Sequence, residues 1–261
     1  SPKYLNMYVG YSNAIIGTIL LLAFGVTDFF SYYTFLSLSV GLIQGLSLII
    51  LFWSLKNNDV TRVMPIWSAY PLWVLLIAIT LTSEVINMVY LFSIFLLILG
   101  SIVANIKLDK KNSIKFSFRS FSILLIGTFL FAFSQIINKE VVQNVPVIEA
   151  FAFRGIGVFI TLALPFSNRE NIMFLSKYVL DWRKSKYLFT AETFLATFAY
   201  ITILYSLING PVSLVAAISG TRPVFIVFIY TILSLLRVNI LESFSKREVV
   251  VKIISAILVS M

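Results

Sequence analysis

Apolar residues in this chain come in long unbroken runs. They show neither the period-two alternation of a half-buried strand nor the narrow stripe of a surface helix. Bounded by charge, Pro or Asn, the runs lie at 9–27, 34–55, 63–82, 86–106, 120–138, 147–166, 188–208, 212–236 and 249–261. Most reach the about 20 residues that a helix needs to cross the hydrocarbon of a bilayer. Their continuous apolarity argues against a membrane β-barrel, whose strands alternate. The pattern predicts an all-α polytopic membrane protein with nine visible spans.

Composition agrees. Of 261 residues, 59% are hydrophobic and 12% charged, against about 25% charged in a soluble domain. A soluble globule of this size could not hide so much apolar surface, and disordered chains are poor in such residues.

The net charge of +9 gains meaning from its placement. Sixteen of the 20 basic residues fall in segments 1–8, 56–62, 107–119, 167–187 and 237–248. The intervening loops hold only Lys139, while Arg154, Arg222 and Lys252 lie inside spans. Such asymmetry places the basic segments in the cytoplasm of a multi-pass cell-membrane protein. It marks the bilayer, not nucleic acid, as the partner. Within 167–187, Ile172, Leu175, Tyr178 and Val179 form one apolar face and Lys177, Asp181 and Lys184 another. Two readings stand: a short interfacial helix or a solvated basic loop.

An internal repeat organises the spans. Shifted by 152 residues, 54–81 aligns without gaps on 206–233, with nine of 28 positions identical. Among these are Asn57/Asn209 in the loop and Pro71/Pro223, which predict a mid-span helix break in each copy. Residues 1–106 then form a first repeat of four visible helices. Residues 107–119 are a basic linker, and 120–261 a second repeat of five with a short last helix. Pro2 corresponds to Pro146, and the four-plus-five count predicts a further helix at the start, matching 120–138. An odd repeat unit inverts the halves. Two inverted five-helix repeats place a site near the bilayer midplane and exchange conformations by rocking.

The stretches NGPVSLVAAISGTRPVFIVFIYTIL (209–233) and NDVTRVMPIWSAYPLWVLLIAI (58–79) resemble the ninth and fourth helices of EamA-type transporters of the drug/metabolite transporter superfamily. That resemblance implies ten helices in two repeats, carrying small metabolites without ATP. Its motifs are a small polar loop, an apolar stretch and one Pro, which speak to the superfamily and not to a substrate. The expected function is secondary-active transport of small organic metabolites, such as amino acids or other amphiphilic or anionic solutes, by alternating access. Two alternatives are a lipid-handling protein (a phospho-lipid flippase or enzyme) and a structural protein with a closed salt-bridge core.

No Cys or His is present, which removes thiolate and imidazole chemistry. With no carboxylate cluster either, no catalytic residue, metal or cofactor is expected.

Charges within spans cost a few kcal/mol each and mark candidate pathway residues. Arg222, flanked by Gly220 and Pro223, is placed to hold an anionic group, or else to lock helices by pairing with Glu192. Glu192 shares a face with Ala196 and Tyr200 and is either a proton-coupling carboxylate or an interfacial one. Arg154, followed by Gly155 and Gly157, either contacts substrate or forms a salt bridge. The repeat maps Trp67 onto Ser219 and Tyr70 onto Arg222, so these four face one cavity unless the aromatics face lipid. Gln44 and Gln135 are amides that need partners, either along the cavity or on a neighbouring helix. Ser37, Gly41 and Gly45 form a small-residue stripe that suits packing between spans, or a homodimer. Glu149, Lys139 and Glu140 sit near the outer surface and are expected to be solvated.

Overall fold

The computed structural model describes residues 2–58, 60–81, 88, 92, 95 and 118–220. Every regular element among them is helical. In chain order these are α1 (Pro2–Phe24), α2 (Tyr32–Asn57), α3 (Val60–Ser68), α4 (Tyr70–Leu81), α5 (Phe118–Asn144) and α6 (Val147–Leu162). A 3-10 turn (Leu164–Phe166) leads to α7 (Arg169–Leu180) and α8 (Trp182–Leu188). A π-helical turn (Phe189–Leu195) then leads to α9 (Ala196–Asn209) and α10 (Val212–Gly220). The segments Lys3–Phe24, Tyr32–Asn57, Ser120–Asn144, Val147–Phe166 and Ser185–Asn209 are long and apolar enough to cross a membrane. The expected spans at 212–236 and 249–261 lie wholly or mostly outside the described residues. Of 86–106 only Met88, Phe92 and Phe95 are described, all helical and exposed, at four- and three-residue spacing.

The expected single span 63–82 is two helices. Pro71 has no N–H to give to the preceding turn. The backbone tightens there, with Ala69 N donating to Ile66 O at 3.2 Å and Leu72 N to Ala69 O at 3.0 Å. The break falls at Ala69, two residues ahead of the proline.

The chain forms two compact units, and each draws on both ends of the sequence. One comprises residues 1–56 and 133–210, the other 57–132 and 211–261.

In the first unit, large apolar residues face outward as well as inward, and several polar ones are enclosed. Ile15, Ile19 and Leu22 of α1 are exposed, as are Phe194, Phe198 and Tyr205 further along. Asn6, Ser12, Ser37, Gln44, Asn138 and Arg154 are buried. Apolar residues facing outward and polar residues within suit a helix bundle surrounded by lipid.

Among the described spans α6 is the most enclosed, and α1 and α2 approach it closely. A Cβ on Gly41 of α2 would lie 2.8 Å from Gly157 Cα. Ser37 Oγ donates to Ala150 O at 2.6 Å. The stripe Ser37–Gly41–Gly45 therefore packs span on span, as one of the two expected readings has it. On the other side, a Cβ on Gly155 would fall 2.7 Å from Asn13 O of α1, and one on Gly17 would fall 3.0 Å from Ala152.

The segment 167–187 is helical and not an irregular loop. Asn168 caps α7, its side chain accepting from Asn171 N at 2.9 Å. Only Leu175 of the expected apolar face is buried, against Met7 and Tyr8, and Ile172, Tyr178 and Val179 are exposed.

In the second unit, Trp67 and Tyr70 pack on Phe131 of α5, with centroids 5.4 and 4.9 Å away. The Tyr70 hydroxyl donates to Ala216 O of α10 at 3.2 Å.

Candidate functional site

Arg154 is the centre of the candidate site. It lies midway along α6, beside the glycines that let α1 and α2 come close, and is 4% exposed. Its Nη1 donates to Gln44 Oε1 at 2.8 Å and its Nη2 to Asn13 Oδ1 at 2.6 Å. One donor thus reaches α2 and the other α1. The guanidinium lies 3.8 Å from the Tyr200 ring centroid and 5.0 Å from that of Phe151, within cation–π range.

A second layer holds these partners in place. Asn13 Nδ2 donates to Val9 O at 2.8 Å, which turns its carbonyl oxygen toward the arginine. Asn138 Nδ2 donates to the Tyr200 hydroxyl at 2.8 Å, and that hydroxyl donates to Gln44 Oε1 at 3.3 Å. Four helices, α1, α2, α6 and α9, with Asn138 from α5, thus converge on one cation.

No group in this set is a carboxylate. Among the described residues Arg154 makes no ion pair, and its Nε has no hydrogen-bond partner. Among the described residues no carboxylate supplies the salt bridge expected as one reading of Arg154. Neutral amides and π faces lower the cost of burying the charge, but they leave it uncancelled. A guanidinium edge is chemically suited to a carboxylate or phosphate.

Three of the expected pathway residues, Arg154, Gln44 and Tyr200, are therefore brought together. Asn13, Asn138 and Phe151 join them, although the sequence pattern did not single them out. Asn13 carries the same signal as Gln44, an amide within an apolar run.

Glu192 lies in the π-helical turn and is half-buried. The π turn disturbs the four-residue spacing expected to align it with Ala196 and Tyr200. Its neighbour Thr193 bonds the Tyr8 hydroxyl at 2.7 Å and accepts from Ser12 Oγ at 3.2 Å, tying this turn to α1. Gln135 is buried in α5 and Ser219 half-buried in α10. Trp67 and Tyr70 are 9% and 5% exposed, so they do not face lipid. Arg222 and Pro223 lie outside the described residues.

Two expectations of solvated ends are corrected. Glu149 is 3% exposed. Its Oε2 accepts from Thr27 N at 3.0 Å and Thr27 Oγ1 at 2.8 Å, and its Oε1 from Thr34 Oγ1 at 3.5 Å. The loop between α1 and α2 folds over it, and the N-terminus of α6 favours its charge. Lys139 is half-buried and caps the end of α9, donating to Leu207 O and, at 2.8 Å, to Gly210 O. Glu140 is exposed as expected.

Glu149→Ala would orphan the Thr27 N–H and hydroxyl, while Thr34 keeps its bond to Asp28 O at 2.9 Å, and a lost acceptor of this kind costs about 1–3 kcal/mol. The expected result is a lower melting temperature in detergent. An unchanged one would mean that the loop holds without this carboxylate.

No protein-family model matches the chain, and no curated protein matches it in sequence. Fourteen solved chains match its structure. One, described only as the crystal structure of a protein, superposes with a TM-score of 0.69 at 13% identity, over 98% of this chain and 85% of that one. At that identity the likeness is one of fold alone.

Proposed function

We propose that the protein is a secondary transporter of small organic anions, and not an enzyme. On this reading it resides in the cell membrane with its basic loops in the cytoplasm, and its two inverted repeats resemble those of the drug/metabolite transporter superfamily. The observation that carries the proposal is the buried charge of Arg154, which no carboxylate among the described residues matches. A structural cation in hydrocarbon is normally matched by a carboxylate. One held only by amides and rings is matched when an anion arrives.

Three features support the inverted arrangement. First, Gly10, Asn13 and Gly17 of α1 approach Ala163, Gly155 and Ala152 in turn, so α1 and α6 run antiparallel. Ser37, Gly41 and Gly45 approach Ala150, Arg154 and Thr161, so α2 and α6 run parallel. The expected spans at 63–82, 86–106 and 120–138, three in number, are compatible with those directions. Second, the first compact unit contains the spans 9–27 and 34–55 together with their repeat counterparts, 147–166 and 188–208. Third, the second-unit counterparts meet at matching positions. Gly220 is the repeat partner of Ser68, and a Cβ on it would lie 3.5 Å from Ser68 O and 3.0 Å from Pro71 Cγ. A local twofold axis produces such self-matching contacts.

The test is flux into proteoliposomes across monocarboxylates, phosphorylated solutes, amino acids, neutral metabolites and organic cations. Saturable uptake of an anionic class is expected. Absence of flux for every class, with protein correctly inserted, would count against transport.

If protons drive the flux, Glu192 is one acidic group among the described residues placed to carry them, and Glu192→Gln should transport with a flattened pH profile. An unaltered profile would remove it from that role.

A further inference from the structure

We propose that α7 and α8 form a docking surface for anionic phospholipid headgroups. This rests on the membrane-spanning reading but not on the transport one. The segment joins Val147–Phe166 to Ser185–Asn209, two helices long and apolar enough to span. A connector between them lies where the bilayer ends.

It is held firmly there. Leu175 packs on Met7 and Tyr8, and Phe174 stacks on Tyr4 with centroids 4.4 Å apart. Lys3 Nζ donates to Asn171 Oδ1 at 3.0 Å, and the Tyr11 hydroxyl to Ser167 Oγ at 2.8 Å. Ser185 Oγ donates to Val179 O at 2.9 Å, closing the bend between the two helices.

What remains uncovered is both greasy and basic. Leu180, Trp182 and Tyr187 are 83%, 62% and 74% exposed, and Met173 is 52% exposed. Arg169, Lys177, Arg183 and Lys186 are exposed beside them. Residues 167–187 carry five basic side chains against two acidic ones. Water alone would disfavour so many large apolar groups on one short connector. Trp, Tyr and Leu side chains set among Lys and Arg suit the headgroup layer. There the rings and stems sit in the acyl boundary and the cations meet phosphate. Excess positive charge selects anionic lipid over zwitterionic lipid.

The experiment places the full chain in vesicles of phosphatidylcholine alone or mixed with phosphatidylglycerol, with either lipid brominated in turn. The readout is the quenching of the fluorescence that Trp182→Phe removes. Brominated phosphatidylglycerol should quench that component several-fold more effectively than brominated phosphatidylcholine, and high salt should erase the preference. The combined variant R169Q/K177Q/R183Q/K186Q should lose it as well, with an unchanged helical circular-dichroism spectrum. R169K/K177R/R183K/K186R should keep it, which separates charge from fold. Equal quenching by both lipids would overturn the proposal, as would a preference that survives the glutamine variant. If soluble glycerol phosphate or inorganic phosphate competes the preference away at matched ionic strength, the site takes free phosphate and the surface assignment fails. A preference displaced only by an added acidic peptide would assign the patch to a protein partner and equally overturn it. None of these outcomes depends on flux, so a failure of the transport proposal leaves the result interpretable.

Discussion

Arg154→Gln is expected to lower uptake of anionic solutes by roughly ten- to a hundredfold while the protein still inserts and packs. The magnitude follows from the loss of a charge-assisted contact, worth about 1.5–3 kcal/mol. Glutamine keeps a polar group near Asn13 and Gln44, so the amides are less exposed to an unpaired state than they would be beside alanine. Arg154→Lys should fall between the two. It retains the charge but loses the planar fork that reaches α1 and α2 together and lies over the Tyr200 ring. Initial flux in proteoliposomes, paired with thermal melting in detergent, separates the effects. Wild-type anion flux in the glutamine variant would remove Arg154 from the pathway. Melting that collapses in both variants, with flux following it, would instead make the arginine a lock between helices.

The second large effect concerns the crossing that positions this side chain. Gly157→Leu should prevent accumulation of folded protein, and Gly157→Ala should already melt at a clearly lower temperature. A Cβ at Gly157 would lie 2.9 Å from both Gly41 Cα and Leu42 N. These are backbone atoms, which cannot rotate away as the end of a side chain can. The helices would have to part, and the Ser37–Ala150 hydrogen bond would stretch with them. Overpacking typically costs about 1–3 kcal/mol, and here Gln44 would also move away from Arg154. Gly25 provides the contrast. It has φ of 80° with nothing within 4 Å of an added Cβ, so Gly25→Ala carries only the left-handed backbone penalty of about 1–2 kcal/mol. Size-exclusion profiles and melting curves compare the variants. A Gly157→Ala protein as stable as the parent would refute close helix approach as the basis of the site.

The sequence alone determined helical class, the membrane-crossing length of five spans and the break near Pro71, and it offered a helix as one of two readings of 167–187. These depend on local quantities: run length, the missing proline N–H, and spacing along a single helix. The glycine-and-serine stripe of α2 was legible for the same reason, although which helix would fill it was not. The partners of Arg154 were beyond such reading. Asn13, Gln44 and Tyr200 lie far from it along the chain, and only the packing of α1, α2 and α9 around α6 sets them within hydrogen-bond or ring contact. Tertiary structure likewise decided that Glu149 is covered and Lys139 caps a helix. In both cases the deciding neighbour, the Thr27 loop or the end of α9, belongs to a distant part of the sequence. A buried charge declares itself by residue type, but whether it is paired depends on which helices meet, and that is settled by close packing across the whole bundle.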